Sequence, residues 1–244
     1  MLNKIFSDDS AKAIKAREYG YLNAIQYLAP ASSGGAGNLC AHASAGCIAL
    51  CLGWFSGQSA MVANLETGMN SVRQSRIQKT RRFMHTRAEY MRDVVRSIEL
   101  LQTKAAKHGL LLCVRLNGSS DIGWEGVRLA NGLNIFGTFP NVQFVDYTKN
   151  FMRACRSLTP SWPKNYHLTF SRSETNEDNC ERFLALGGTV AAVFRTAKPN
   201  TYLGHPVIDG DLHDLRHTDA RGHVIALSPK GAKAKKDVSG FVIN

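Results

Sequence analysis

The chain has 244 residues, of which 44% are hydrophobic and 20% charged, with a formal net charge of +11. That length suits one large domain or two small ones with ample material for a core, and we take residues 1–244 as a single domain. No apolar stretch approaches the length of a membrane span, which excludes a transmembrane protein. The positive field favours anionic partners: nucleic acid, phosphorylated metabolites or other acidic substrates.

The N-terminus carries lysine and aspartate without an apolar run, so no secretory signal is expected and a reducing cytosol is the expected compartment. Residues 8–18 read as a short helix capped by Ser7, Asp8 or Asp9, and residues 21–29 as a first strand or an ordered arm. A Ser/Gly run follows, then a cysteine loop. From Asn64 to His108 the composition is helical, with Val72, Ile77, Phe83, Met84, Met91, Val94, Val95, Ile98 and Leu101 partly in helical period. Two helices are expected there, broken near residues 85–88. Between Arg73 and Lys107 ten Lys or Arg residues face three acids, which reads as a solvated basic face or a nucleic-acid grip. Residues 1–108 are therefore a mostly helical portion carrying the cysteine loop.

Residues 109–244 change rhythm. Apolar runs at 111–116, 142–147, 166–170, 189–194, 207–208 and 223–227 alternate with segments able to form helices. That alternation predicts an α/β fold with a partial-barrel-like, mostly parallel sheet. The last two runs are close in sequence, so they are expected to pair antiparallel or to lie at an edge.

Five of these runs end in polar clusters, which in a parallel sheet share one face. The clusters supply Asn117, Asp121 and Glu125, then Tyr147 and Lys149, then Ser171 and Glu174, then Arg195, and last Asp209. Cys40, Cys47 and Cys51 are spaced C-x6-C-x3-C in a loop of small residues, so their thiolates are able to converge on a soft metal centre. A [4Fe-4S] cluster fits three thiolates best. Zinc with His42 as fourth ligand and plain free thiols stay open as alternatives. Cys113 and Cys155 read as strand and helix core residues, and His167 as a cross-strand residue.

The motif Asn-Leu-Cys-x6-Cys-x3-Cys-Leu, the block Arg73–Thr80, Arg115–Ile122, Asp146-Tyr-Thr-Lys149, Asn165–Ser171, Val207–Asp211 and the closing Ser239-Gly-Phe241 carry a resemblance. The chain is similar, from about Asn38 onward, to the gene-product-88 family, encoded largely by tailed bacteriophages and mobile elements. The resemblance implies a phage-encoded iron–sulfur protein in the cytoplasm of an infected bacterium. It names no fourth cysteine ligand, and Cys180 matches no family cysteine.

A cubane on three thiolates would leave one iron open as a Lewis acid. The expected chemistry is hydrolysis of an ester-like small substrate or a hydration. Asp121, Glu125 or Glu174 would then serve as base, Lys149 or Arg195 would hold developing negative charge, and Asn117, Tyr147, Ser171 and Asp209 would bind substrate. Two readings compete: a radical S-adenosylmethionine-like enzyme, whose usual C-x3-C-x2-C spacing is absent here, and a nucleic-acid-binding protein with a structural cluster.

Overall fold

The computed structural model describes residues 4–244. The first half contains β1 (Phe6–Ser7), α1 (Ala11–Lys15), β2 (Tyr21–Gln26), α2 (Ala45–Ala49), α3 (Leu52–Phe55), α4 (Ser71–His85) and α5 (Arg87–Lys107). The second contains β3 (Leu111–Arg115), α6 (Ile135–Thr138), β4 (Gln143–Thr148), α7 (Phe151–Arg156), β5 (Tyr166–Ser171), α8 (Glu177–Ala185) and β6 (Val190–Phe194). It ends with β7 (Thr201–Tyr202), β8 (His205–Asp209), β9 (Val224–Leu227), α9 (Ala232–Lys235) and β10 (Val242–Ile243).

Sequence and structure agree on the two long helices. Asn70 caps α4 by accepting from the Arg73 N–H, and the chain breaks at Thr86 before α5 begins. The N-cap of α1 is Ser10 rather than Ser7, Asp8 or Asp9, because the two aspartates are drawn to Lys4 and Lys104.

The strands form one ten-stranded sheet in the order β1-β2-β3-β4-β5-β6-β9-β8-β7. From β2 to β8 all neighbours are parallel, and the short β1 and β7 pair antiparallel at the two edges. The sheet is α/β and mostly parallel, and it is not closed into a barrel. Val193 pairs with Leu227 of β9 and with Val242 of β10, so β10 takes the β5 side of β6 beyond the point where β5 stops pairing.

The first strand or ordered arm expected at residues 21–29 is a strand, β2 over Tyr21–Gln26, parallel to β3. Two expectations change. The mostly helical N-terminal portion also adds the short edge strand β1, so with β2 it is part of the sheet rather than a helical appendage. The last two predicted strands, β8 and β9, pair parallel, with β9 inserted between β6 and β8. The 14 residues between them, 210–223, are long enough to cross back over the sheet.

Strand pleating decides what each face does. Leu22, Ala24, Leu112, Val114, Phe144 and Leu168 pack under α4 and α5, around Phe83, Tyr90, Met91, Val94 and Ile98. Phe170, Val190, Ala192, Phe194, Val224 and Ala226 pack with Cys180, Phe183 and Leu184 of α8. On the opposite face Cys113 and Val145 meet Ala16 and Leu215, which close the N-terminal end of the strands. One step further along the same strands, Arg115, Tyr147, Ser171 and Val193 line an open cleft. The parallel strands thus present their C-terminal ends to a cavity rather than to packed side chains.

Candidate functional site

The cleft has a volume of about 970 Å³. Its walls come from the cysteine loop, the N-terminal half of α4, the C-terminal ends of the strands and the segment following β9. Cys40, Cys47 and Cys51 all line it.

Local structure explains how one loop delivers three thiols. Cys40 sits in a turn in which its N–H donates to Asn38 Oδ1 at 2.8 Å and Ala43 N–H donates to its carbonyl. Cys47 is the third residue of α2, and Cys51 immediately precedes α3. Ser44 caps α2 by accepting from the Cys47 N–H at 3.2 Å. Glu174, arriving from beyond β5, accepts from Ser44 Oγ at 2.8 Å and from the Gly46 N–H at 2.7 Å. A Cβ on Gly46 would lie 2.8 Å from the Glu174 carboxylate, so the clamp requires glycine there. Glu174 therefore positions Cys47 and does not itself line the cleft. Replacing it with alanine removes both acceptors, and we expect limited proteolysis within residues 44–51 to accelerate at least tenfold while the far-ultraviolet spectrum stays unchanged.

The thiols are held in an environment that resists bare charge. Burial pushes Cys40 up to about 11, with Cys47 and Asp121 adding to the rise. Burial likewise lifts Cys51 to about 12, with Cys47 and Cys40 contributing. Cys47 is also raised by burial, but Lys149 pulls against the shift. The Ala31 N–H donates to Cys40 Sγ at 3.3 Å. Arg76 supplies opposing positive charge beside Cys51.

Lys149 is the best-placed cation. Its Nζ donates to Ser171 Oγ at 2.7 Å and to the carbonyls of Ser171 and Arg172, and it stands 5.0 Å from the centre of the Phe241 ring. Burial lowers its pKa, while Cys47 and Asp121 oppose that shift.

The other predicted residues divide sharply. Asp121 lines the cleft but accepts from Thr148 Oγ1, the Lys149 N–H and Arg153 Nη1. Glu125 lies outside the cleft, gripped by the guanidinium of Arg153 at 2.9 Å. Asn117 reaches the cleft with its polar atoms already used: its amide donates to Asp146 and the Ile122 carbonyl, and its oxygen accepts from Ser120, Ile122 and Trp124. Tyr147 and Ser171 line the cavity. Arg195 and Asp209 do not. Arg195 ties down the C-terminal segment through Asn244, Lys235 and Asp237, and Asp209 pairs with Lys198.

His42 hydrogen-bonds Asn150 at 2.9 Å instead of turning toward the thiols. Among the described residues, no group of three or more His, Cys, Asp or Glu side chains is arranged to hold a single metal ion. The zinc alternative with His42 therefore finds no ligand set. Cys180, on the buried face of α8, is packed in the core and does not line the cleft.

Sequence reading missed the cationic wall. Arg76 and Lys79 on α4, Arg115 on β3 and Lys230 after β9 all line the cleft. Burial and the neighbouring Arg76 bring Lys79 down to about 8. The signal was present in the spacing: Val72, Arg76, Lys79 and Phe83 fall on one helical stripe, so two of the expected solvated cations share the face of an apolar anchor. Arg73 is fully buried, Arg82 pairs with Asp93 and Lys104 with Asp8. Three of the ten cations from Arg73 to Lys107 are thus committed to the protein's own interior or its own acids, and two more, Arg76 and Lys79, line the cleft. No helix among the described residues is long and apolar enough to cross a membrane.

Comparison with known proteins supplies one match: a family model described as "Gene product 88" covers residues 4–244. No curated protein and no solved structure matches the chain.

Proposed function

This chain belongs to the gene product 88 family, and from that premise we propose that it is a phage-encoded enzyme working in the cytoplasm of the infected bacterium. In this reading it holds a [4Fe-4S] cluster on Cys40, Cys47 and Cys51 and acts on a small anionic substrate in the cleft below. One observation carries it: three thiols from a single loop line a cavity walled by cations at the C-terminal ends of a parallel sheet.

The donor set suits the group. Three thiols with a backbone N–H on one sulfur, and cations beside the other two, supply what a cluster ligated by thiolates needs for charge balance and tuning. When bound, such a group supplies a Lewis-acid iron without a protein thiolate.

The chain's own residues supply the rest. Asp121 is the one of the three proposed carboxylate bases that lines the cleft. To act as base it would release the Thr148 hydroxyl, which is free to rotate away, and take the proton on the lone pair that hydroxyl now occupies. Lys149 Nζ holds negative charge beside Cys47, and Tyr147 and Ser171 offer hydroxyls to the substrate. Glu174 fixes the loop, and Glu125 holds Arg153, which in turn fixes Asp121.

The strand order favours a second reading. β2 to β6 lie side by side in chain order, and the cysteine loop follows the first of these parallel strands. That plan resembles radical S-adenosylmethionine enzymes, a likeness of architecture alone. One experiment separates the two. The reduced, iron-loaded chain is incubated with a panel of carboxylate and phosphate esters, and separately with S-adenosylmethionine, beside Cys47→Ala. Ester turnover that scales with iron content supports hydrolysis, and cleavage of S-adenosylmethionine supports the second reading. A fully loaded chain that does neither contradicts the enzyme reading.

A further inference from the structure

The α4 wall of the cleft carries a second feature, of which only Arg76 also stands beside a thiol, that of Cys51. One stripe of α4, comprising Val72, Ser75, Arg76 and Lys79, faces the cavity. Lys79 is only 6% exposed, and its ammonium makes a single long contact, 3.5 Å to the Ile5 carbonyl. An ammonium has three N–H donors, so at least two are left without a protein acceptor. Arg76 stands over the Tyr27 ring, its guanidinium carbon 4.7 Å from the ring centre, and spends one donor on the Gly53 carbonyl. Arg115 lies over the Tyr147 ring at 4.5 Å and spends one donor on the Asn117 carbonyl at 3.2 Å.

Among the described residues none of these three cations has a carboxylate within ion-pairing distance. The acids that do reach the cleft are paired elsewhere: Asp9 with Lys4, Asp121 with Arg153, Asp214 with Lys12 at 3.3 Å, and Asp211 with Lys12 and Lys198, although Asp214 also acts on the charge of Arg115 from beyond ion-pairing distance. A cavity that collects desolvated cations and leaves them unpaired is built at a cost in stability, and an anionic ligand removes that cost.

We propose that Arg76, Lys79 and Arg115 form the subsite for the phosphate or diphosphate group of a phosphorylated small molecule. Charge decides between anions. Three positive groups are matched by a phosphate carrying roughly −1.5 to −2, or by a diphosphate, better than by a single carboxylate. The chemistry agrees: two planar guanidinium forks and one point-charge ammonium form a common phosphate-binding set. The volume leaves room for a substituent reaching from this wall toward the thiols. The assignment deepens the reading of the cleft as a substrate site and involves none of the cysteines.

The test is calorimetric titration of the full chain with inorganic pyrophosphate, with acetate as the comparison anion and iron measured on the same sample. Saturable one-to-one binding is expected, with acetate at least 100-fold weaker. Lys79→Met should weaken pyrophosphate at least tenfold, whereas Lys107→Met, which removes a lysine outside the cleft, should change it less than twofold. Should Lys79→Met fail to fold, Arg115→Gln carries the same expectation. No saturable binding, acetate binding as tight as pyrophosphate, or undiminished binding in the cleft variants (an adventitious ion only) would each overturn the assignment. Iron content reads the cluster separately, so failure of one claim leaves the other standing.

Discussion

Arg153→Ala should destabilise the chain by about 3–5 kcal/mol, the cost of stranding buried carboxylates without their cation. Arg153 is 5% exposed and forks onto Glu125, donates to Asp121 Oδ1 at 3.0 Å and reaches the Tyr166 hydroxyl at 2.7 Å. Tyr166 passes the network on to Asp146, which accepts from Asn117. One guanidinium on α7 therefore fixes the loops that follow β3 and β4. Removing it leaves two carboxylates facing each other in a poorly solvated space. For a chain of this size the loss corresponds to a fall in Tm of roughly 10 °C. Arg153→Lys keeps the charge without the fork, so it should recover only part of the stability. Thermal melts of the two variants beside the parent provide the check. A shift below 1 °C for Arg153→Ala would show that the network contributes nothing.

Arg73→Met should cost about 3 kcal/mol, from backbone carbonyls left without donors. Arg73 is fully buried and gives its guanidinium to the carbonyls of Ser59, Gly68, Trp54 and Leu65, while stacking over the Trp54 ring at 4.5 Å. It thus holds residues 54–68, which contain little regular structure, against the start of α4. Methionine keeps the stem and loses every donor. Hydrogen exchange should locate the effect: amides of residues 54–70 lose protection, whereas those of β3 to β6 retain most of theirs. Uniform loss across the sheet would contradict a local pinning role.

These two arginines show where sequence reading reached its limit. The helices over Ser71–His85 and Arg87–Lys107, and the strands β3, β4, β5, β6 and β9, were legible because each has enough length to show a period or an apolar run, while β8 showed only its two central residues, Val207 and Ile208. β1, β7 and β10 have two residues each, and no pattern exists at that length. The inverted order of β8 and β9 depends on a crossover that leaves no local trace.

The place of the site was also legible, as polar clusters after successive strands beside a cysteine loop. The division of labour within it was not. Asp121, Glu125 and Glu174 look alike as candidate bases in sequence. Only the fold shows that Arg153, about 30 residues downstream, takes the first two and that the N-terminus of α2 takes the third. Arg73, Arg76 and Lys79 look like part of a solvated basic face for the same reason. A charged side chain reveals its burial through tertiary partners, and those partners are carbonyls and rings with no sequence signature.

Iron and acid-labile sulfide content, measured with the visible spectrum on chain purified without oxygen beside Cys47→Ala, tests the cluster directly. The parent should carry about four irons and four sulfides with broad absorption near ~400 nm, and the variant should lose them. A colourless parent carrying zinc or no metal would contradict the iron–sulfur reading.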